Sequence, residues 1–465
     1  MAEQRQAPLH SGASPQEVFA DLAPLVDFQE EGLPLDALGA LVRDRLLPHL
    51  MRYDLPSFHA MFNAPLEDGA AYGAHVALKW NQGVTNWQVS PGGAALEELC
   101  CRALCRLFGL GPQAEATVLY SGTYANQQAL YMALHRHAER EGFDFAEEGL
   151  QGFRDAFRLV VLTSADAHFS LKHAVRVLGL GERALVTVDV DSNRRMDVDA
   201  LRETLHRVAD AHDVFCVVAT AGTTSTGSVD PVAEVAEVCG QDGPWLHVDG
   251  AYGLAYALVP EWKPLFEGLD RADSVAWDPH KQMGVPIPSS ILFAKRRDDF
   301  RRMALFSHYW NRPDTEGPNP GIKSMPSTRP LAALPLVASI RHQGLGGVVA
   351  RLRHHLDAIR ALTEELRGQS DIELVHEPDT GILCFRLVPP AIPEDQHDGL
   401  QETIYETILK EGSRLISITT LNRRPALRLV ALSPAVTKQS MLETVDEARR
   451  IAGEVARGLG SGGTK

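Results

Sequence analysis

The chain of 465 residues predicts an α/β fold, a mostly parallel sheet with helices on both faces, and three observations carry that reading. Short apolar runs recur at Ala116–Leu119, Leu159–Leu162, Ala184–Asp189, Val214–Ala219, Trp245–Asp249, Ser274–Trp277 and Ile291–Ala294. Stretches of helical spacing separate most of them, an order that joins parallel strands through helical crossovers. Several runs end in small or hydroxyl-bearing turns, YSGTYAN at 120–126, GTTSTG at 222–227 and Gly250-Ala251, where such sheets receive ligands.

Before this region, residues 1–90 read as a helical segment, with two helices between Ser14 and Met51 broken near Gly32-Leu33-Pro34. Residues 91–330 form the large domain. It opens on a helix from Ala94 to Phe108 and holds another from Gln127 to about Arg140. The stretch Trp310–Ser327 is dense in Pro, Gly and polar residues, which marks an active-site loop or a linker. Residues 331–465 form a small α+β domain. Its helices are expected at Leu331–Gln343, Gly346–Gly368, Leu400–Glu411 and Lys438–Gly458, and its strands at Ile382–Val388 and Ala426–Leu432.

Composition narrows the function classes. A hydrophobic content of 45% with 23% charged residues suits a soluble enzyme. A formal charge of −15 argues against nucleic acid or an anionic membrane surface as partner. No apolar run approaches a membrane span, and the first residues, MAEQRQAPLHSGASPQE, lack a signal-peptide core. Six cysteines in a chain this long do not make a disulfide framework, so a reducing, cytoplasmic compartment is expected. Cys101 and Cys105 share a helix face beside Cys100, but no histidine has ligand spacing, so no metal is predicted.

The chemistry gathers around SVAWDPHKQMGVPIP, residues 274–288. An apolar run stops at Asp278-Pro279 and presents His280 and Lys281, while Gly284, Pro286 and Pro288 forbid a long helix afterwards. A lysine between buried segments is partly desolvated, which favours the neutral amine and a Schiff-base role. Upstream, WLHVDGAYGL (245–254) runs a buried strand into Asp249, with Gly250 and Ala251 leaving room around it. A carboxylate that keeps a pyridine nitrogen protonated and a lysine that captures an aldehyde are together what pyridoxal phosphate requires.

HVDGAYG and DPHKQMGVP resemble the signature segments of the group II pyridoxal-phosphate amino-acid decarboxylases, the family of the glutamate, aromatic-amino-acid and diaminobutyrate enzymes. The resemblance runs from about Pro56 into the C-terminal region. It implies the fold-type I architecture, pyridoxal 5'-phosphate on Lys281, and Asp249 at the pyridinium nitrogen. It further implies His168 and Ala251 on the two faces of the ring, with Gly122, Thr123 and His280 at the phosphate. Thr224 would contact a cofactor hydroxyl or the substrate carboxylate, and Arg428 in ALRLVALSP would bind that carboxylate. Phe58, Met61 and Trp80 would line the substrate pocket. Such enzymes are homodimers with shared active sites, the N-terminal segment wrapping around the partner.

Four positions depart from the family pattern. Ser121 stands where a second glycine is usual, and Asp278 where an asparagine is usual. Met61 falls where glutamate decarboxylases carry glutamine, which argues against an acidic substrate side chain. No tyrosine occurs between Trp310 and Gly344, and Pro318 and Asn319 occupy the place of the loop tyrosine that protonates Cα. His308 or Tyr309 would then supply that proton. The expected reaction is α-decarboxylation of an L-amino acid to the amine. The alternatives are an aldehyde-forming, aminotransfer or lyase reaction on the same fold, or a retired enzyme serving as a binding subunit.

Overall fold

The computed structural model describes residues 8–306 and 317–461, with side chains described through residue 459. They fall into two compact units, Leu66–Leu356 with His376–Ile382, and Met1–Pro65 with Asp357–Val375 and Leu383–Lys465.

The larger unit is built on seven strands: β1 (Glu115–Leu119), β2 (Leu159–Ser164), β3 (Leu185–Val188), β4 (Asp213–Thr220), β5 (Trp245–Asp249), β6 (Ser274–Trp277) and β7 (Ser290–Ala294). Their order across the sheet is β1-β7-β6-β5-β4-β2-β3. The pairs from β6 through β5 and β4 to β2 and β3 are parallel, and β7 runs antiparallel to both of its neighbours. Strands β2, β5, β6 and β7 are buried at every residue, as expected where helices cover both faces of a sheet.

Helix Gly122–Glu141 packs on this core through Ala125, Ala129, Leu130, Met132, Ala133 and Leu134. It begins five residues before the sequence suggests. Ser121 closes its first turn, accepting a hydrogen bond from the Tyr124 N–H at 3.3 Å. Periodicity also missed helix Asp68–Trp80, for a physical reason. Its buried residues are Gly69, Ala70 and Gly73, and a Cβ on Gly73 would come within 2.8 Å of Pro335 Cα. Close backbone approach replaces large apolar side chains there.

Helix Ala333–Leu366 is interrupted where expected, at Gly344, whose φ of +68° lies in the left-handed region that favours glycine. Of the stretch 310–327, the described part is strapped down. Lys323 pairs with Glu98 at 2.8 Å and Glu115 at 2.7 Å, Gln128 donates to the Lys323 carbonyl at 2.7 Å, and Arg329 pairs with buried Glu97.

The smaller unit carries an antiparallel sheet in the order β10-β11-β9-β8, made of β8 (Ile372–Leu374), β9 (Ile382–Leu387), β10 (Ser417–Leu421) and β11 (Arg424–Val430). Helices His397–Glu411 and Lys438–Ser461 cover it around Leu383, Phe385, Leu427 and Leu429. Sequence reading missed β8 and β10. Both are short, and β10 carries three hydroxyl residues, so its strand state comes from pairing with β11 (Ser417↔Arg428). No helix among the described residues is long and apolar enough to cross a membrane.

Candidate active site

Parallel strands carry their carboxyl ends to one edge of a sheet, and here that edge collects the chemistry. Gly122 and Thr123 follow β1, His168 follows β2, Thr224 follows β4, Asp249 and Ala251 end or follow β5, and Asp278, His280 and Lys281 follow β6. Lys281 sits at the strand end in a one-turn helix, Pro279–Gln282.

Distances join these groups. A Cβ on Gly122 would lie 2.8 Å from Asp278 Oδ2 and 3.0 Å from the Ala251 methyl, so only glycine fits. Ser121, by contrast, has extended backbone (φ −163°) that any residue adopts, and a second glycine is not needed there. The first-turn N–H groups of Gly122 and Thr123 lie outside the helix ladder and make an anion cradle. Lys281 Nζ is 3.4 Å from Asp278 Oδ2, and His280 Nε2 is 3.9 Å from the same oxygen. His280 is held by its Nδ1, 2.5 Å from the Ser289 carbonyl. Asp278 Oδ1 is buried and has no hydrogen-bond partner among the described residues.

Asp249 is 5% exposed. Its Oδ1 accepts from the Ala251 N–H at 3.1 Å and its Oδ2 from Asn126 Nδ2 at 2.7 Å. A carboxylate has about four lone-pair positions, so acceptor capacity remains for a ring N–H. His168 accepts at Nδ1 from the Ser170 N–H, 3.2 Å away. Burial lowers its pKa, with Asp249 opposing and Lys281 assisting, so it is a flat neutral imidazole near neutral pH. Thr224 is half-buried in its turn, while Thr223, Thr226 and Ser228 exchange hydroxyl hydrogen bonds at 2.8 Å beside it.

The residues expected around a substrate divide between the units. In the smaller unit Phe58 is buried against Tyr53, whereas Met61 is more than half exposed with φ +53°. Arg428 is 4% exposed, not the solvent-facing arginine that β-alternation alone suggests. It donates to Ser417 Oγ at 2.8 Å, and its guanidinium lies 5.0 Å from the Phe62 ring centroid. In the larger unit Trp80 ends helix Asp68–Trp80 and is exposed. His308 and Tyr309 lie outside the described residues. Burial pushes the Cys100 and Cys105 thiols up to about 12, which leaves both protonated at neutral pH.

Sequence reading missed Asn126, Ser170, His247 and Ser274. A signal was present for one of them: in WLHVD, residues 245, 247 and 249 share a strand face, so a histidine inside an apolar run aligns with the carboxylate.

An acceptor carboxylate, an amine and a glycine-walled helix start on one sheet edge fit pyridoxal phosphate. Comparison with known proteins agrees. The model of the pyridoxal-dependent decarboxylase conserved domain matches residues 20–388. An L-2,4-diaminobutyrate decarboxylase of Rhizobium meliloti (strain 1021) is 30% identical over 97% of this chain and 88% of its own length. The acidic amino acid decarboxylase GADL1 of Mus musculus is 27% identical over 93% of this chain and 80% of its own. The crystal structure of mouse CSAD in apo form superposes with a TM-score of 0.86 at 25% identity, covering 96% of this chain and 93% of that one. The chain therefore belongs to the pyridoxal-dependent decarboxylase family, with pyridoxal phosphate as cofactor and amino-acid decarboxylation as its reaction class.

Proposed function

We propose that the protein removes carbon dioxide from the α-carbon of an L-amino acid whose side chain is not acidic, releasing the amine. The observation that carries this reading is the sheet edge at which β6, β5, β2 and β1 deliver Lys281, Asp249, His168 and the Gly122 cradle. Pyridoxal phosphate, when bound, supplies an electrophilic carbonyl and an electron-accepting ring. Lys281 would hold that carbonyl. Asp249 would keep a proton on the ring nitrogen through the acceptor capacity left beside Asn126 and Ala251. His168 and Ala251 would flank the ring, and Gly122, Thr123 and His280 would hold the phosphate. Thr224 would bond a cofactor hydroxyl or the substrate carboxylate.

Asp278 is the discordant group, a buried carboxylate against the same cradle. Beside a phosphate it repels, and capture of the cofactor by Lys281 draws away its nearest cation. Asp278→Asn is therefore expected to tighten pyridoxal phosphate binding by roughly tenfold, which corresponds to about 1.4 kcal/mol. Titration of the cofactor-free variant, followed by tryptophan fluorescence, measures this. Equal or weaker affinity would show that the carboxylate does not oppose the phosphate.

Arg428, buried and braced by Ser417 and Phe62, is assigned to the substrate carboxylate, with Phe58, Met61 and Trp80 assigned to its side chain. The stretch PSFHAMFNAP at 56–65 offers no lysine or arginine to an acidic side chain. Its one histidine, His59, is fully buried, and desolvation pushes its pKa down to about 3, so it is neutral too. One relative is named for diaminobutyrate and another for acidic amino acids, so it is this stretch that favours a non-acidic substrate. A homodimer is part of the proposal. Helices Pro15–Leu22 and Leu35–Arg45 bury none of their residues, and Phe19, Phe28 and Leu35 are left for a second copy to cover.

The absence of a tyrosine between Trp310 and Gly344 favours one alternative, an aldehyde as product. One experiment separates the outcomes: purified protein loaded with pyridoxal phosphate, offered single amino acids in deuterated buffer. Carbon dioxide with an amine carrying one deuterium at Cα supports the proposal, and loss of that product in a His308→Gln and Tyr309→Phe double variant would support those residues as the proton source. Aldehyde, ammonia and oxygen consumption would replace it with the oxidative reaction, and no carbon dioxide from any amino acid would overturn it.

A further inference from the structure

Asp249 and four buried side chains behind it form one directed chain of hydrogen bonds. Trp245 Nε1 donates to Ser274 Oγ at 2.7 Å, and Ser274 Oγ lies 2.8 Å from His247 Nδ1. His247 Nε2 lies 2.9 Å from Asn126 Oδ1, and Asn126 Nδ2 donates to Asp249 Oδ2 at 2.7 Å. None of the five is more than 5% exposed. The arrangement follows from strand geometry. Trp245, His247 and Asp249 are alternate residues of β5 and share a face, Ser274 is the β6 residue opposite His247, and Asn126 comes from the helix Gly122–Glu141.

Chemistry fixes the direction of every bond. An indole N–H can only donate, so the Ser274 oxygen accepts from it. A second lone pair and the hydroxyl proton remain, so the Ser274–His247 bond takes its direction from the imidazole, whose Nδ1 accepts when the ring proton is on Nε2. A carboxylate can only accept, so the amide nitrogen of Asn126 faces Asp249 and its oxygen faces His247. His247 must then carry its proton on Nε2. The amide nitrogen also donates to Ser170 Oγ at 2.8 Å, but that hydroxyl could equally donate to an amide oxygen. Ser170 therefore does not hold the amide in one orientation, whereas the Nε2–H of His247 does.

Building on the proposed role of Asp249, we propose that His247 is a positioning residue. As the neutral Nε2–H tautomer it locks the Asn126 amide so that its N–H, never its oxygen, meets the Asp249 carboxylate, leaving that carboxylate aimed at the cofactor ring nitrogen. Burial supports the neutral form by pushing the imidazole pKa down to about 4. Without that donor the buried Asn126 amide oxygen has no partner, so the amide is no longer fixed from behind and its N–H is held less firmly against the carboxylate.

Two side chains separate this role from simple packing. The amide nitrogen of glutamine reaches the place of Nε2 and can donate to Asn126, whereas leucine fills similar space and cannot. Wild type, His247→Gln and His247→Leu are loaded with pyridoxal phosphate and compared by cofactor affinity, by the pH dependence of the bound-cofactor absorbance, and by kcat. His247→Leu is expected to lose about 10- to 100-fold in kcat, the usual cost of removing a partner that orients a functional group. Its cofactor spectrum should show loss of the ring-nitrogen proton at lower pH. His247→Gln should recover most of both. Nitrogen shifts of 15N-histidine-labelled wild type, with His247 identified by its absence in the glutamine variant, report the tautomer directly even if the leucine variant does not fold. A proton on Nε2 supports the proposal, and one on Nδ1 overturns it. A folded His247→Leu with wild-type kcat and spectrum also overturns it, as does equal impairment of the two variants. Failure of wild type to bind pyridoxal phosphate would instead remove the reading on which this inference rests.

Discussion

Lys281→Ala is expected to lose the visible absorbance of lysine-bound pyridoxal phosphate, and with it turnover by roughly 10⁴- to 10⁶-fold, the scale on which removal of a covalent catalytic group acts. The side chain stands in a one-turn helix at the end of β6, held near Asp278 at 3.4 Å. His280 has no amine to substitute for it, and no other residue of that turn is a lysine. Borohydride should fix radioactivity into wild type and none into the variant. A variant that still traps label, or keeps turnover within tenfold, would place the covalent bond on another lysine.

Asp249→Ala is expected to retain the lysine-bound cofactor and yet turn over about 10²- to 10³-fold more slowly, the usual effect of deleting one preorganised electrostatic partner. In the proposed role the carboxylate keeps the ring nitrogen protonated, and an unprotonated pyridine is a poor electron acceptor. Folding should suffer as well, because the substitution strands the Asn126 N–H that now donates at 2.7 Å inside the core. Cofactor content, thermal unfolding and single-turnover rate on the same preparation separate the two effects. Turnover near wild type in a fully loaded variant would take Asp249 out of its assigned role.

The elements that could be read from the chain are those whose cause is local. WLHVD and SVAW announce buried strands because every residue but the last carboxylate, the histidine and one serine is apolar. The Gly and Pro residues after Lys281 end regular structure by their own backbone limits. Gly344 breaks its helix for the same reason. Helix Asp68–Trp80 escaped notice because glycine and alanine do its packing, and β10 because its partner makes it a strand. At the site, Asp249 and Lys281 were legible as residues at strand ends, and the family resemblance supplied their roles. What they touch was not. Asn126 meets Asp249 across 123 positions of sequence and His247 across 121, and no local spacing encodes such a bond. Likewise the departure at Asp278 was visible in the sequence, but its burial against Gly122 was not. By itself the sequence determined which strand ends carry a carboxylate and an amine, since apolar runs and backbone-restricting residues act within a few positions. Only the tertiary structure decided that the carboxyl ends of β1, β2, β4, β5 and β6 share one edge, and that an indole, a hydroxyl, an imidazole and an amide stand in line behind the carboxylate. Parallel pairing and buried hydrogen bonds depend on distance in space rather than along the chain.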